Sequence, residues 1–217
     1  EGTLKEHVPP KCFFPEHKDL LNDVDFRRNL ITVHSCDEHN LRKSKDDEYL
    51  LFIIVSHFEN NKNAYDHIKT KILRAIKRIP QLFSFFSNEA QRIVLGGQKT
   101  VRFQINRNRF DSELIKIAKG IYYNHFKEKL EKNLFIISPS LYDFDKKDSG
   151  ELNNLQQYAY LCTEIFFTKA NKFGENPDIF YYNIFRDLTR DFFLINMVFY
   201  GGFKVIALYF NDLIFSA

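Results

Sequence analysis

The chain of 217 residues has no tryptophan, one methionine and only three cysteines. Cys12, Cys36 and Cys162 are odd in number and far apart, which excludes a disulfide framework and suits a reducing compartment. The cytoplasm is therefore the expected location. Long apolar runs are also missing: Leu50 to Val55 is six residues, against about 20 for a membrane-spanning helix. No basic segment followed by an apolar one and a small-residue cleavage site opens the chain. These absences lead us to expect no membrane partner. Neither an internal repeat nor a low-complexity linker is found.

The chain does carry 24 Phe and 11 Tyr within a 44% hydrophobic composition, ample to build a core. The aromatic stripes have apolar neighbours and read as core rather than as a platform for stacked bases. Charge is segregated. Residues 1–60 hold 8 Lys and Arg against 12 Asp and Glu, residues 61–132 hold 16 against 6, and residues 133–217 hold 7 against 10. An acidic head beside a basic segment suits an anionic partner held next to a cation, because phosphates draw Lys and Arg while divalent metals draw carboxylates. A solvated helix face is the plainer reading of the same lysines.

Local patterning predicts an α+β fold. Pro9, Pro10 and Pro15 break up the first 36 residues, in which Glu6-His7 lies on a short strand and Asn29 to Val33 is β-branched enough to be another. Ser44-Lys45-Asp46-Asp47 resembles a capping box and predicts a helix starting there. After the polar break Asn60-Asn61-Lys62-Asn63, the residues Ile68, Ile72, Leu73, Ile76 and Ile79 predict a basic amphipathic helix over 64–79. Further predictions are a hairpin about Gly96-Gly97, a helix from Asp111 with Gly120 inside it at some cost, and a short strand over 134–137. Residues 143–150 read as an exposed turn, and 152–169 is helix or strand. A C-terminal β-hairpin turns at Gly201-Gly202. Two regions result, a head at 1–60 and an α+β body at 61–217 whose basic segment is 61–132.

The head concentrates residues able to do chemistry: Glu6-His7, then Asn29, then Cys36-Asp37-Glu38-His39-Asn40 leading into a helix. A hairpin followed by a helix can bring a strand end, a loop and a helix start to one point. Carboxylate and amide oxygens are hard ligands for a cation such as Mg²⁺ or Mn²⁺, and a neutral imidazole beside them can take a proton from water. That set suits phosphodiester hydrolysis. Plainer roles stay open: a surface histidine at 7, a turn residue at Asn29, a helix cap at Asn40. His34 is as well placed to face solvent, and His17, His57, His67 and His125 have no partner evident in the sequence. Cys12 and Cys162 read as structural. Lys11, Arg74, Lys77, Arg78, Arg102, Arg107 and Arg109 are candidates for phosphate contacts. Gly96-Gly97-Gln98-Lys99-Thr100 lacks the spacing of a phosphate loop and is set aside.

Glu6-His7-Val8-Pro9-Pro10-Lys11, Asn29-Leu30-Ile31-Thr32-Val33, and Cys36-Asp37-Glu38-His39-Asn40 with Lys43-Ser44-Lys45-Asp46-Asp47-Glu48-Tyr49 together resemble the HNH endonucleases of bacterial and phage type. The resemblance covers about the first 50 residues; the body shares only loose features such as Phe199-Tyr200-Gly201-Gly202-Phe203. It implies a small ββα-metal head, with Glu6 and Asn40 as metal ligands, His7 as general base and Asn29 orienting the loop that bears it, an HNN variant of the motif. A divalent metal, Mg²⁺ or Mn²⁺, is the implied cofactor and nucleic acid the implied partner, DNA ahead of RNA. Many such nucleases also hold a structural zinc between two knuckles. Cys36 and His39 supply the second pair here, and the first pair is expected upstream of Glu1, so the chain is expected to be a fragment. Glu6 stands where Asp is commoner and His39 where the last knuckle Cys would be. The alternative function is a non-catalytic nucleic-acid or protein-binding module with a degenerate head.

Overall fold

A computed structural model describes residues 4–20, 24–35, 37–78, 90–143 and 147–211. The head has the order strand, strand, helix. β1 (Leu4–His7) pairs antiparallel with β2 (Thr32–Ser35), His7 opposite Thr32, and α1 (Asp37–Val55) comes next with one residue between. The helix starts seven residues before the Ser44 box. Its last two turns are apolar nearly all round, and Leu50, Leu51, Ile53, Ile54 and Val55 are all buried.

The 24-residue link between β1 and β2 holds two short 3₁₀ turns, Lys11–Phe13 and His17–Asp19, and buries Phe13 and Phe14. It docks on the next helical stretch, which runs as α2 (Lys62–His67), a π turn (Ile68–Ile72) and α3 (Leu73–Arg78). The predicted single helix is thus real but carries a π turn, whose extra residue rotates the next turns about the axis. Ile72 is buried while Leu73 is 43% exposed, a break in the expected stripe. Ile79 lies outside the described residues.

β3 (Gln91–Leu95) and β4 (Gln98–Arg102) form the predicted hairpin about Gly96-Gly97. Both glycines have positive φ, 56° and 80°, as a two-residue I′ turn demands. α4 (Arg107–Phe126) begins four residues before Asp111, because Asn106 caps it: its side chain accepts from the Arg109 N–H at 3.0 Å. Phe110, Leu114, Ile117, Ala118 and Ile121 line its buried face. β5 (Phe135–Ile137) and α5 (Ser149–Phe167) come after it, so the stretch whose pattern suits helix or strand alike is helix as far as Phe167.

The C-terminal hairpin is larger than predicted. β8 (Phe192–Phe199) and β9 (Phe203–Tyr209) are the inner pair of a five-stranded antiparallel sheet of order β5-β9-β8-β7-β6, with β6 (Phe173–Asn176) and β7 (Phe180–Asp187). One face, with Phe193, Ile195, Met197, Phe199, Phe203, Val205 and Ala207, joins the main core, while Leu194, Ile206 and Leu208 pack with Tyr160 of α5 on the other. Cover on both sides explains why these strands read as continuous apolar runs.

One core spans head and body: Val8, Phe13 and Phe14 belong to the same cluster as Phe199, Tyr200 and Phe203. The polar break at 60–63 is a junction. Asn60 donates to Ile54 O at 2.6 Å and accepts from the Phe203 N–H at 3.0 Å. The Asn61 N–H donates to Tyr200 O at 2.9 Å, its amide donates to Asp178 O at 2.7 Å, and its carbonyl oxygen caps α2. Gly202 lets the sheet approach: a Cβ there would lie 2.4 Å from the Glu59 backbone. No helix among the described residues is long and apolar enough to cross a membrane.

Candidate active site

His7 is the last residue of β1, and two contacts fix it. The Val8 N–H donates to Ile31 O at 3.0 Å, which extends the hairpin pairing by one step. Val8 is itself buried against Gly120 of α4, where an added Cβ would come within 2.7 Å of a Val8 methyl. The glycine inside α4, unexplained by helix propensity, is therefore the seat on which the strand end rests.

The imidazole of His7 has its pKa lowered from the ordinary 6.5. Burial lowers its pKa first, and the charges of Lys11 and Arg27 lower it further. Its Nδ1 is buried and has no hydrogen-bond partner among the described residues. Arg27 is anchored by donation to Phe14 O at 3.0 Å and to Glu16 at 3.3 Å, so the β1–β2 link brings a second cation beside His7 across 20 residues of sequence. No local pattern could have found Arg27, because a loop fold places it. Lys11 is exposed, as a phosphate contact requires.

Glu6 is half-buried opposite Val33. Glu6 and His7 are successive residues of one paired strand and the pairing runs on through Val8, so their side chains leave opposite faces of the hairpin. Asn29 lies three residues before β2, exposed and in the left-handed region at φ 52°, which Asn tolerates. Asn40 is the fourth residue of α1 and His39 the third; neither side chain is among those described, and Cys36 lies outside the described residues. β1 and β2 pair and α1 follows them in the expected order, and the convergence of Glu6 and Asn40 is left undrawn. No group of three or more His, Cys, Asp or Glu gathers among the described residues.

The basic candidates divide. Arg74 makes a double contact with Asp19 at 2.5 and 2.7 Å, and Arg107 sits on Asp111 at 2.8 Å. Arg109 reaches Asp46 at 2.7 Å and lies 4.1 Å over the Tyr49 ring, tying α4 to α1. Arg102 donates to Gln91 at 2.9 Å. Lys77 and Arg78 are exposed at the end of α3.

Away from the head, His57 and His67 have partners that the sequence does not reveal. His57 lies 3.4 Å from Glu59. His67 Nδ1 lies 2.8 Å from Tyr200 Oη, which donates to Phe13 O at 2.5 Å. With the hydroxyl proton committed to that carbonyl, Nδ1 carries the imidazole hydrogen and Nε2 is a buried acceptor without a partner among the described residues. Burial lowers the His67 pKa to about 3. Cys12, expected to be structural, is half-buried and packs against the core, and desolvation pushes its thiol up to about 12.

No family model, curated protein or solved structure matches the chain. The residues themselves therefore carry the functional assignment.

Proposed function

We propose that the chain is a metal-dependent endonuclease of the HNH type, in which His7 activates the water that hydrolyses a phosphodiester bond. The observation that carries this reading is the strand-strand-helix unit with His7 at the strand end, its imidazole pKa lowered by burial and its Nδ1 buried without a partner among the described residues. A base must be unprotonated to act, and an imidazole whose pKa sits below its usual 6.5 is ready at neutral pH.

A carboxylate at Glu6 and an amide at Asn40 make a hard donor set that fits one divalent cation such as Mg²⁺ or Mn²⁺, which typically takes one or two protein oxygens and fills its sphere with water. That cation supplies charge stabilisation at the phosphate and leaving oxygen when bound. His7 takes a proton from water, whose oxygen attacks phosphorus; the ester P–O bond breaks, and the departing alkoxide takes a proton from solvent. Lys11 draws the anionic backbone toward the strand end, and Asn29 sits where it can brace the loop behind His7. Cys36 and His39 are two ligands, whereas a structural zinc needs four. Duplex DNA in the cytoplasm is the substrate and setting we assign.

Plasmid nicking tests this. The protein should nick supercoiled DNA with Mg²⁺ or Mn²⁺, stop with EDTA, and lose at least about 100-fold in rate in His7→Ala, the scale of general-base catalysis. Salt-sensitive binding without cleavage would instead identify a non-catalytic nucleic-acid-binding module.

A further inference from the structure

The β3–β4 hairpin stands apart from the sheets and helices. It forms its own two-stranded sheet, and a cavity of about 750 Å³ lies between it, the end of α1 and the 140–143 loop. Strand alternation gives it two faces. Gln91, Ile93, Thr100 and Arg102 line that cavity, and Val101 also borders it. The opposite face carries Arg92, Val94, Lys99 and Val101, paired 92 with 101 and 94 with 99, so the two cations sit on a diagonal with a valine beside each. Val94 is 67% exposed and Val101 50%, and Arg92 and Lys99 are exposed with no ion pair or hydrogen bond from their side chains among the described residues. These are unpaired charges, unlike Arg74, Arg107 and Arg109.

We infer that this ribbon enters the major groove of duplex DNA, with Arg92 and Lys99 on the phosphates and Val94 and Val101 against the groove floor. The inference deepens the nuclease reading, rests on it, and names its DNA-holding element. Charge complementarity selects the occupant: from Ala90 to Phe103 the chain holds Arg92, Lys99 and Arg102 and no acidic residue. Shape selects the groove. Two paired strands are about 5 Å apart at the backbone and five residues run about 17 Å, a ribbon that a major groove about 12 Å wide admits. The deep, narrow major groove of A-form RNA does not admit it.

The ribbon is tied to the candidate active site through α1. Phe103, just past β4, packs on Phe52 with ring centroids 5.6 Å apart, and the Asn106 N–H donates to Tyr49 Oη at 2.7 Å. Phe52 lies twelve residues beyond Asn40 on the same helix, about 18 Å along its axis.

The test is binding of a labelled DNA duplex of about 20 base pairs, in EDTA so that nothing is cut, by the full chain and by an Arg92→Gln/Lys99→Gln double variant. The double variant should bind about 10-fold more weakly and show a log–log salt slope shallower by about 2, one per lost phosphate contact. Duplex RNA of the same sequence should bind more weakly and be indifferent to the substitution. Parental affinity and slope in the double variant overturn the inference, as does an equal loss on both duplexes. A ribbon-dependent affinity in a protein that never nicks plasmid keeps the inference and removes the nuclease reading.

Discussion

The chain makes two hairpins with glycine pairs at their turns, and it buries one while leaving the other in solvent. In β8–β9, Tyr200 and Gly201 adopt positive φ, and Tyr200 is wholly buried at the turn, its N–H on Ile179 O at 2.8 Å and its carbonyl on Asn61. In β3–β4 the pair Gly96-Gly97 adopts a similar handedness with nothing within 4 Å of either position. Turn chemistry makes both hairpins; side chains decide their fate. β8 and β9 are apolar on both faces and are covered by the main core and α5. β3 and β4 alternate, with a cationic face that no part of the described protein neutralises. An uncovered two-stranded ribbon is marginal by itself.

The two hairpins should respond differently to substitution. The largest effect is expected from Phe203→Ala, which removes a ring packed 6.0 Å from Phe110 and 5.4 Å from His57, centroid to centroid. Urea unfolding should show a loss of about 3–5 kcal/mol. Val101→Ala on the ribbon should stay within about 0.5 kcal/mol. Gly202→Ala comes next: a Cβ 2.4 Å from the Glu59 backbone forces the sheet off the Asn60 junction, an overpacking that costs about 1–3 kcal/mol. Gly97→Ala meets no atom and carries only the penalty of a left-handed residue, about 1 kcal/mol. Equal losses at the two glycines would erase the distinction between the hairpins.

Acid should act on the buried hairpin and spare the ribbon. His67 bonds Tyr200 at the β8–β9 turn, and its folded pKa of about 3 lies below the ordinary 6.5. The unfolded chain therefore takes up a proton that the folded one refuses. The stability contribution is full above pH 6.5 and is lost as pH falls toward 3, at about 1.4 kcal/mol per pH unit. A His67→Gln variant should show that much less pH dependence between pH 6 and about 4; an unchanged slope would show that His67 does not titrate this way.

Much of this is legible in the residues. The period-2 alternation about Gly96-Gly97, the apolar β8 and β9 and the strand-strand-helix head all follow from local patterning, because each is decided within a dozen residues or so. Ser44 and Asp111 mislead as helix starts, since side chains that resemble caps also occur inside helices and the operative cap, Asn106, lies outside the apolar repeat. β6 and β7 are hidden because Phe180 to Asp187 mixes polar and apolar residues in a strand covered on two sides. For the candidate site, the order of Glu6, His7, Asn29 and Asn40 is local and readable, whereas Arg27 beside His7, Val8 on Gly120 and the ion pairs of Arg74 and Arg109 are long-range contacts. Nothing local sets Arg92 and Lys99 apart from the arginines that the fold pairs internally. Exposure, which only the fold decides, separates the two groups.

The most direct measurement is the pH profile of metal-dependent plasmid nicking by the parent protein and by His7→Ala. Burial, Lys11 and Arg27 hold the imidazole below its ordinary 6.5, so the acid limb of the rate should fall below that value and vanish with the residue. An acid limb at or above 6.5, or nicking that persists undiminished in His7→Ala, would contradict the assignment of His7 as the base.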